Sequence, residues 1–308
     1  MTVWSSSSTE ARPVASGRAV VGALRPPSSK SLTQRYFLLG ALAEGPTVVR
    51  RALASDDTQC FLAALEQIGV EVERAHDAVR LAAARAPAEA AIDCGDNGTL
   101  LRFLTAALCA RPGTWRLDGS PRLRRRPLGP LVEALRRLGA DVAWEGEAGA
   151  APVTIRGGTL TGGEVVLDAG LSSQFLSALL VAATQAPHPT DIRVGDLVST
   201  PYVNLTLGAL STFGGRVEQR PWGFGVPAAQ RLRGADVVVE PDISAACYPA
   251  AAAALTGGRL ALLDLYPDSR QGDCRFFELL GEMGARLDWT AEGLEVTGPL
   301  ALRAIEAD

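Results

Sequence analysis

Lysine is almost missing from this chain. Of the 30 basic residues, 29 are arginine and one, Lys30, is lysine. An ammonium is a compact charge on a flexible stem that can shift its pKa and exchange a proton, whereas a guanidinium is planar and stays charged. A lysine that persists where every other cation is Arg therefore marks a position that needs an ammonium. Histidine is also scarce: His76 lies in a polar turn and His188 between two prolines, with no ligand or nucleophile nearby in sequence, which argues against a His-based triad or metal site. The five cysteines (Cys60, Cys94, Cys109, Cys247, Cys274) are odd in number and lack metal-type spacing, so they read as packed, reduced thiols of a cytoplasmic protein. No apolar run is long enough to span a membrane. Residues 1–12 are polar and Ser-rich, without the apolar stretch of a signal peptide, and are expected to form a disordered tail. The net charge of −4 argues against nucleic acid as a partner.

What remains is an ordinary globular composition, 47% hydrophobic and 21% charged over 308 residues, enough for one or two cored domains. The lone lysine sits in the stretch Pro26–Arg35, where a loop gives way to a helix, with Ser28, Ser29, Ser31 and Thr33 around it and Arg35 about one turn on. Free amides at a helix start, hydroxyls and two cations make a site for phosphate or carboxylate. The bland alternative is a capped surface helix.

The chain repeats itself. Four segments, beginning at Ala64, Ala134, Ala209 and Leu279, each end an amphipathic helix on a glycine and pass into an alternating strand. The marker glycines are 69, 139, 214 and 284, so the intervals are 70, 75 and 70. Each copy is preceded by a strongly apolar helix that opens on small polar residues: Ser29-Lys30-Ser31, Asp96-Asn97-Gly98-Thr99, Ser172-Ser173-Gln174 and Asp242-Ile243-Ser244. Helices so apolar are buried nearly all round. With the intervening β runs, the unit is β-α-β-α-β-β, about seventy residues long and present four times. If the copies are related by rotation, their helix starts converge on one face, and several positive dipole ends aimed at one cleft favour a polyanion.

These residues carry a resemblance. Lys30-Ser31 with Arg35, Ser55-Asp56-Asp57-Thr58, Gly95–Thr99 with Arg102, Pro121-Arg122 with Arg126-Pro127-Leu128, Ser172-Ser173-Gln174-Phe175, Ser199 with Pro201-Tyr202, Asp242 with Ser244, and Gln271-Gly272-Asp273 stand in the order of the corresponding motifs of the 5-enolpyruvylshikimate-3-phosphate synthase family. The likeness runs from about Val21 to Asp308. It implies an α/β fold of βαβαββ repeats, four of an expected six, in a two-domain enolpyruvyl-transferase architecture with the second domain incomplete. It implies transfer of the enolpyruvyl group of phosphoenolpyruvate to the 5-hydroxyl of shikimate 3-phosphate, by addition and elimination, with no metal and no organic cofactor. Carried over residue by residue, it implies that Lys30, Ser31 and Arg35 bind shikimate 3-phosphate, with Lys30 also reaching phosphoenolpyruvate as the catalytic residue. The same resemblance implies that Ser172, Ser173, Gln174, Ser199 and Tyr202 hold shikimate 3-phosphate and that Gly98, Arg122 and Gln174 contact phosphoenolpyruvate.

The chain departs from the family pattern at several places: Ser28 for Gly, Asp96-Asn97 for Asn-Ala, Thr200 for Lys, and Ala245 for Ser. It also stops before the family's catalytic Asp and later cationic motifs are expected. The domain expectation is a tail over 1–12, a three-repeat domain over 24–234, and an incomplete outer domain of 13–23 with 235–308. The functional expectation is a chain that binds substrate but turns over little by itself, a monomer if complete. Two alternatives stand beside it. One is the sister transferase acting on UDP-N-acetylglucosamine, whose catalytic loop carries a Cys that Pro121–Gly129 lacks. The other is a non-catalytic or repurposed shikimate-phosphate-binding homologue.

Overall fold

A computed structural model describes residues 18–83, 87–195, 197 and 199–306; the expected tail over 1–12 lies outside the described residues. Within them the β-α-β-α-β-β unit occurs four times in register. The first copy runs β1 (Val21–Leu24), α1 (Lys30–Leu42), β2 (Thr47–Arg50), α2 (Asp56–Gln67), β3 (Val70–Arg74) and β4 (Ala78–Ala83). The second is β5 (Glu89–Asp93), α3 (Gly98–Cys109), β6 (Gly113–Asp118), α4 (Gly129–Arg137), β7 (Asp141–Trp144) and β8 (Val153–Gly157). The third is β9 (Gly163–Leu167), α5 (Ser173–Ala183), β10 (Thr190–Val194), α6 (Thr200–Thr212), β11 (Glu218–Arg220) and β12 (Gly223–Val226). The fourth is β13 (Asp236–Val238), α7 (Ile243–Leu255), β14 (Arg259–Leu263), α8 (Arg275–Glu282), β15 (Arg286–Thr290) and β16 (Gly293–Thr297). The marker glycines Gly69, Gly139, Gly214 and Gly284 follow the second helix of each copy at φ between 78° and 107°. A left-handed residue is what ends a helix and turns the chain into the next strand, and it suits glycine because there is no Cβ to clash.

Each copy builds one four-stranded sheet. The order is first, second, fourth, third strand, with the first two parallel and the rest antiparallel. In the second and third copies all four strands come from one copy. The first and fourth copies exchange their opening strands: β13 lies beside β2, and β1 lies beside β14.

Two compact units result. Of the described residues, the larger comprises those within Pro26–Ile243 with Asp268–Cys274, and the smaller comprises 18–25, Ser244–Pro267 and 275–306. The larger unit runs past residue 234 because β13 completes the β2 sheet, Val237 lying opposite Val49, with Val237 and Val239 buried. Its core is built on α3 and α5. Every residue of α3 except Thr99 is buried, and every residue of α5 except Gln174. Burial of a Leu or Phe side chain of this kind stabilises by roughly 1.5–3 kcal/mol. In the smaller unit Leu260, Leu262, Leu294 and Val296 of the sheet are buried, and Phe277 meets Trp289 edge to face at 6.3 Å. Among the described residues no helix is long and apolar enough to cross a membrane.

Candidate active site

Three of the four helix starts singled out by the repeat, those of α1, α3 and α5, meet in the larger unit. Lys30 is the first residue of α1, and its Nζ donates to Asp57 Oδ2 at 2.9 Å. Asp57 stands in the first turn of α2, a helix opened by a capping box between Ser55 and Thr58. The main-chain oxygen of Asp57 accepts from Asn97 Nδ2 at 2.9 Å, while Asn97 Oδ1 caps α3 by accepting from Leu100 N. At the other side of α3, Thr99 Oγ1 accepts from Gln174 Nε2 at 3.1 Å. One run of polar contacts therefore joins the openings of α1, α2, α3 and α5. The two residues that escape burial on the central helices, Thr99 and Gln174, are the ones that touch each other here.

Two buried arginines hold this assembly. Arg35, one turn into α1, donates Nε to Thr206 Oγ1 at 2.8 Å, Nη1 to Ser31 O at 2.9 Å and Nη2 to Tyr202 O at 3.0 Å. It thus ties α1 to the first turns of α6, and its guanidinium lies 5.4 Å from the Phe103 ring. Arg102 donates Nη1 to Gln174 Oε1 at 2.6 Å and Nη2 to Pro127 O at 3.2 Å, over the Phe175 ring at 5.1 Å. Burial pulls both guanidinium pKa values down to about 10; the neighbouring charge of Arg126 adds to this at Arg102. Both nevertheless remain cations near neutral pH and put positive charge within this assembly.

Lys30 is half exposed and Asp57 partly so, and a pair of that exposure is worth about 0–1 kcal/mol. Asp57 therefore orients the ammonium without locking it, and a phosphate can compete for it. Ser172 caps α5, its Oγ accepting from Gln174 N at 3.2 Å, which leaves the hydroxyl proton for a ligand. Ser173 is buried beside it. Ser199 precedes α6 in the left-handed region at φ 55°, exposed and with no capping bond from its side chain. Tyr202 is partly exposed, 40%, on the first turn of α6.

Gly98 opens α3 and is buried. A Cβ there would come within 2.8 Å of Arg126 Nη1 and 3.5 Å of Arg102 Nη1, so the glycine leaves two guanidinium groups access to the helix start. Arg122 stands exposed on the basic loop, next to the tight turn Leu123–Arg125. The loop arginine nearest Gly98 is Arg126, which the sequence reading named only as part of a motif. Asp57, Asn97 and Arg102 were likewise not nominated as site residues. For Arg102 a signal existed: it is the single charge in an otherwise apolar helix. Among the described residues no group of three or more His, Cys, Asp or Glu is arranged to hold a metal ion.

The arrangement gathers cations, hydroxyls and an amide at adjoining helix starts, groups whose chemistry suits an anion. The family profile described as EPSP synthase (3-phosphoshikimate 1-carboxyvinyltransferase) matches residues 14–308. The chain belongs to the EPSP synthase family. It is 40% identical to the 3-phosphoshikimate 1-carboxyvinyltransferase of Photobacterium profundum over 296 residues, 93% of this chain and 69% of that protein. It is 41% identical to the enzyme of the same name from Nitrosomonas europaea over 298 residues, again 93% and 69%. The solved EPSP synthase of Acinetobacter baumannii superposes with a TM-score of 0.80 at 27% identity, covering 94% of this chain and 67% of that one. The chain thus spans about two thirds of the length of these EPSP synthases. Members of the family are shikimate-pathway transferases that move an enolpyruvyl group from phosphoenolpyruvate to shikimate 3-phosphate. The fold expected from the repeat and from the resemblance is the fold of this family.

Proposed function

We propose that the larger unit is the substrate-binding half of the transferase site. Lys30, Ser31, Ser172, Ser173, Ser199 and Tyr202 take shikimate 3-phosphate, with Arg35 contributing from below. Gly98, Arg122 and Gln174 face phosphoenolpyruvate, with Lys30 between the two ligands. The observation that carries this reading is the position of the only ammonium in the chain, at a helix start joined by hydrogen bonds to three other helix starts. Helix dipoles and fixed cations aimed at one cleft stabilise phosphate charge as it is bound and as it shifts during transfer.

The transfer balances without redox chemistry. The 5-hydroxyl gives up its proton and its oxygen bonds to the central carbon of phosphoenolpyruvate, while the methylene carbon takes a proton. Loss of a proton from the resulting methyl group then expels phosphate and restores the double bond. The cations hold the carboxylate and phosphate groups while oxygen and carbon exchange protons, and preorganised charge of this kind needs no rearrangement at the moment of reaction.

Calorimetric titration of shikimate 3-phosphate tests the reading. The chain should bind, and Lys30→Arg should weaken binding by about 10-fold although the charge is kept, because a planar fork cannot take the place of a compact ammonium on Asp57. Equal affinities would remove Lys30 from the site.

A further inference from the structure

We propose that Asp96 is a positioning residue for the basic loop, acting through Ser120 to hold Arg122 in place for phosphoenolpyruvate. The inference rests on the reading above that Arg122 meets that ligand.

Asp96 stands one residue before the cap of α3, where an additional carboxylate beside an anion site ought to be unfavourable by charge alone. The structure gives that carboxylate a use: Asp96 Oδ1 accepts from Ser120 Oγ. A carboxylate can only accept, so it fixes the direction of the Ser120 hydroxyl proton. The lone pairs of the same oxygen are then left to accept from Leu123 N at 3.1 Å, opening the tight turn that follows Arg122. The backbone repeats the attachment, Ser120 N donating to Gly95 O at 2.9 Å. Close approach is demanded at the neighbouring position too, because a Cβ on Gly119 would lie 2.6 Å from Gly95 O.

Two clamps consequently grip the loop. At its base Asp118 takes both Nε and Nη2 of Arg124, at 2.8 and 2.7 Å. Nearer its tip Asp96 holds Ser120. Between them Leu123 is fully buried, and Arg122 is left projecting. Arg122, Arg125 and Arg126 form no ion pair among the described residues, so their mutual repulsion favours a splayed loop. A negative group tied to the loop by a charge-assisted hydrogen bond opposes that splaying.

The test uses the 308-residue chain and four variants: Asp96→Ala, Asp96→Asn, Ser120→Ala, and Asp96→Ala with Ser120→Ala. Asn keeps an oxygen able to accept from Ser120, so it separates the hydrogen bond from bulk and fold. Limited trypsin digestion of the ligand-free protein reads the loop directly, since Arg122, Arg124 and Arg125 are cleavage points within it. Asp96→Ala and Ser120→Ala should each raise cleavage there several-fold, the double variant no further, and Asp96→Asn should stay near the parent. Calorimetry with phosphoenolpyruvate, shikimate 3-phosphate being present, should show a loss of about 5–10-fold for Asp96→Ala, within the range for one ordinary hydrogen bond. Asn should restore most of it. Parent-like cleavage in Asp96→Ala overturns the inference, as do an Asn variant as impaired as Ala and additive losses in the double variant. A parent chain that binds no phosphoenolpyruvate overturns the functional reading instead, while the digestion still decides whether Asp96 holds the loop.

Discussion

The buried helices of the second and fourth copies, α3 and α7, come from equivalent places in the repeat and have similarly apolar sequences. Their surroundings differ. In α3 all residues but Thr99 are buried, packed with α5 of the next copy. In α7 Ala246, Ala250, Ala253 and Ala254 are buried, while Tyr248 and Leu255 are 80% and 73% exposed. The difference teaches that the apolar pattern records what the repeat is built to pack against, and that the three-copy unit supplies it for α3. A helix of this kind takes most of its stability from neighbours rather than from its own propensity.

The widest separation between the two regions should appear on truncating one side chain in each. Phe103→Ala in α3 removes a fully buried ring and should cost about 3–5 kcal/mol of stability. Leu255→Ala in α7 should change stability by no more than about 0.5 kcal/mol, as exposed substitutions do. Urea unfolding followed by circular dichroism reads both, and a comparable loss at Leu255 would break the contrast.

A second experiment sharpens the limits of the larger unit. A polypeptide covering 26–243 should melt cooperatively, whereas one ending at 234 lacks β13 and leaves β2 with an open edge. Losing the burial of Val237 and Val239 should lower its stability by about 3–5 kcal/mol. Equal melting of the two would mean that β13 adds nothing to the unit.

The smallest effect compares the carboxylates at the end of the second strand in the second and fourth copies, Asp118 as the last residue of β6 and Asp264 just after β14. Asp118 is 13% exposed and takes Arg116, Arg124 and the amide of Gly119; Asp264 takes the exposed Arg25. Burial alone would raise the Asp118 pKa, but the hydrogen bonds from Arg124, Gly119 and Arg116 outweigh it and hold the carboxyl below its ordinary value. A carboxyl whose pKa is lowered on folding adds stability above its unfolded pKa, and that contribution is lost as pH falls through the folded value. Asp118→Asn should therefore cost about 1–2 kcal/mol near pH 7, with the gap to the parent narrowing toward pH 3. Asp264→Asn should cost about 0–1 kcal/mol. A gap for Asp118→Asn that does not change with pH would rule out the linkage.

Much of this was legible in the sequence because it was periodic. The four glycines, the hydroxyls at Ser31, Thr99, Ser173 and Ser244, and the apolar helices recur at nearly one interval, and each recurs for a local physical reason: a left-handed turn, a helix opening, a buried face. What was not legible was non-local. Nothing in a strand pattern says that β13 joins the sheet of β2, since edge pairing is chosen by backbone geometry rather than by side-chain alternation. The Arg102–Gln174 bond joins helices 72 positions apart, and the place of Asp57 against Lys30 depends on where α2 starts in space. Arg35 was read as a ligand residue from its motif. The structure shows most of its donors serving Ser31, Tyr202 and Thr206, a demand that its apolar neighbours Leu32, Phe37 and Leu38 already announced.

The traded strands also set an order of events during synthesis. Val21 finds its partner only at Arg259, and Val48, paired with Arg80 on one side, finds its other partner only at Asp236, so neither unit completes its first sheet locally. At about 5–20 residues per second, β1 leaves the ribosome roughly 10–50 s before β14 exists. Through that interval β1 and β2 both present unsatisfied backbone edges, the feature most prone to mispairing with other chains. Both first sheets therefore gain their last edge pairing late and nearly together, and the vulnerable period is set by the stretch of chain between the traded strands.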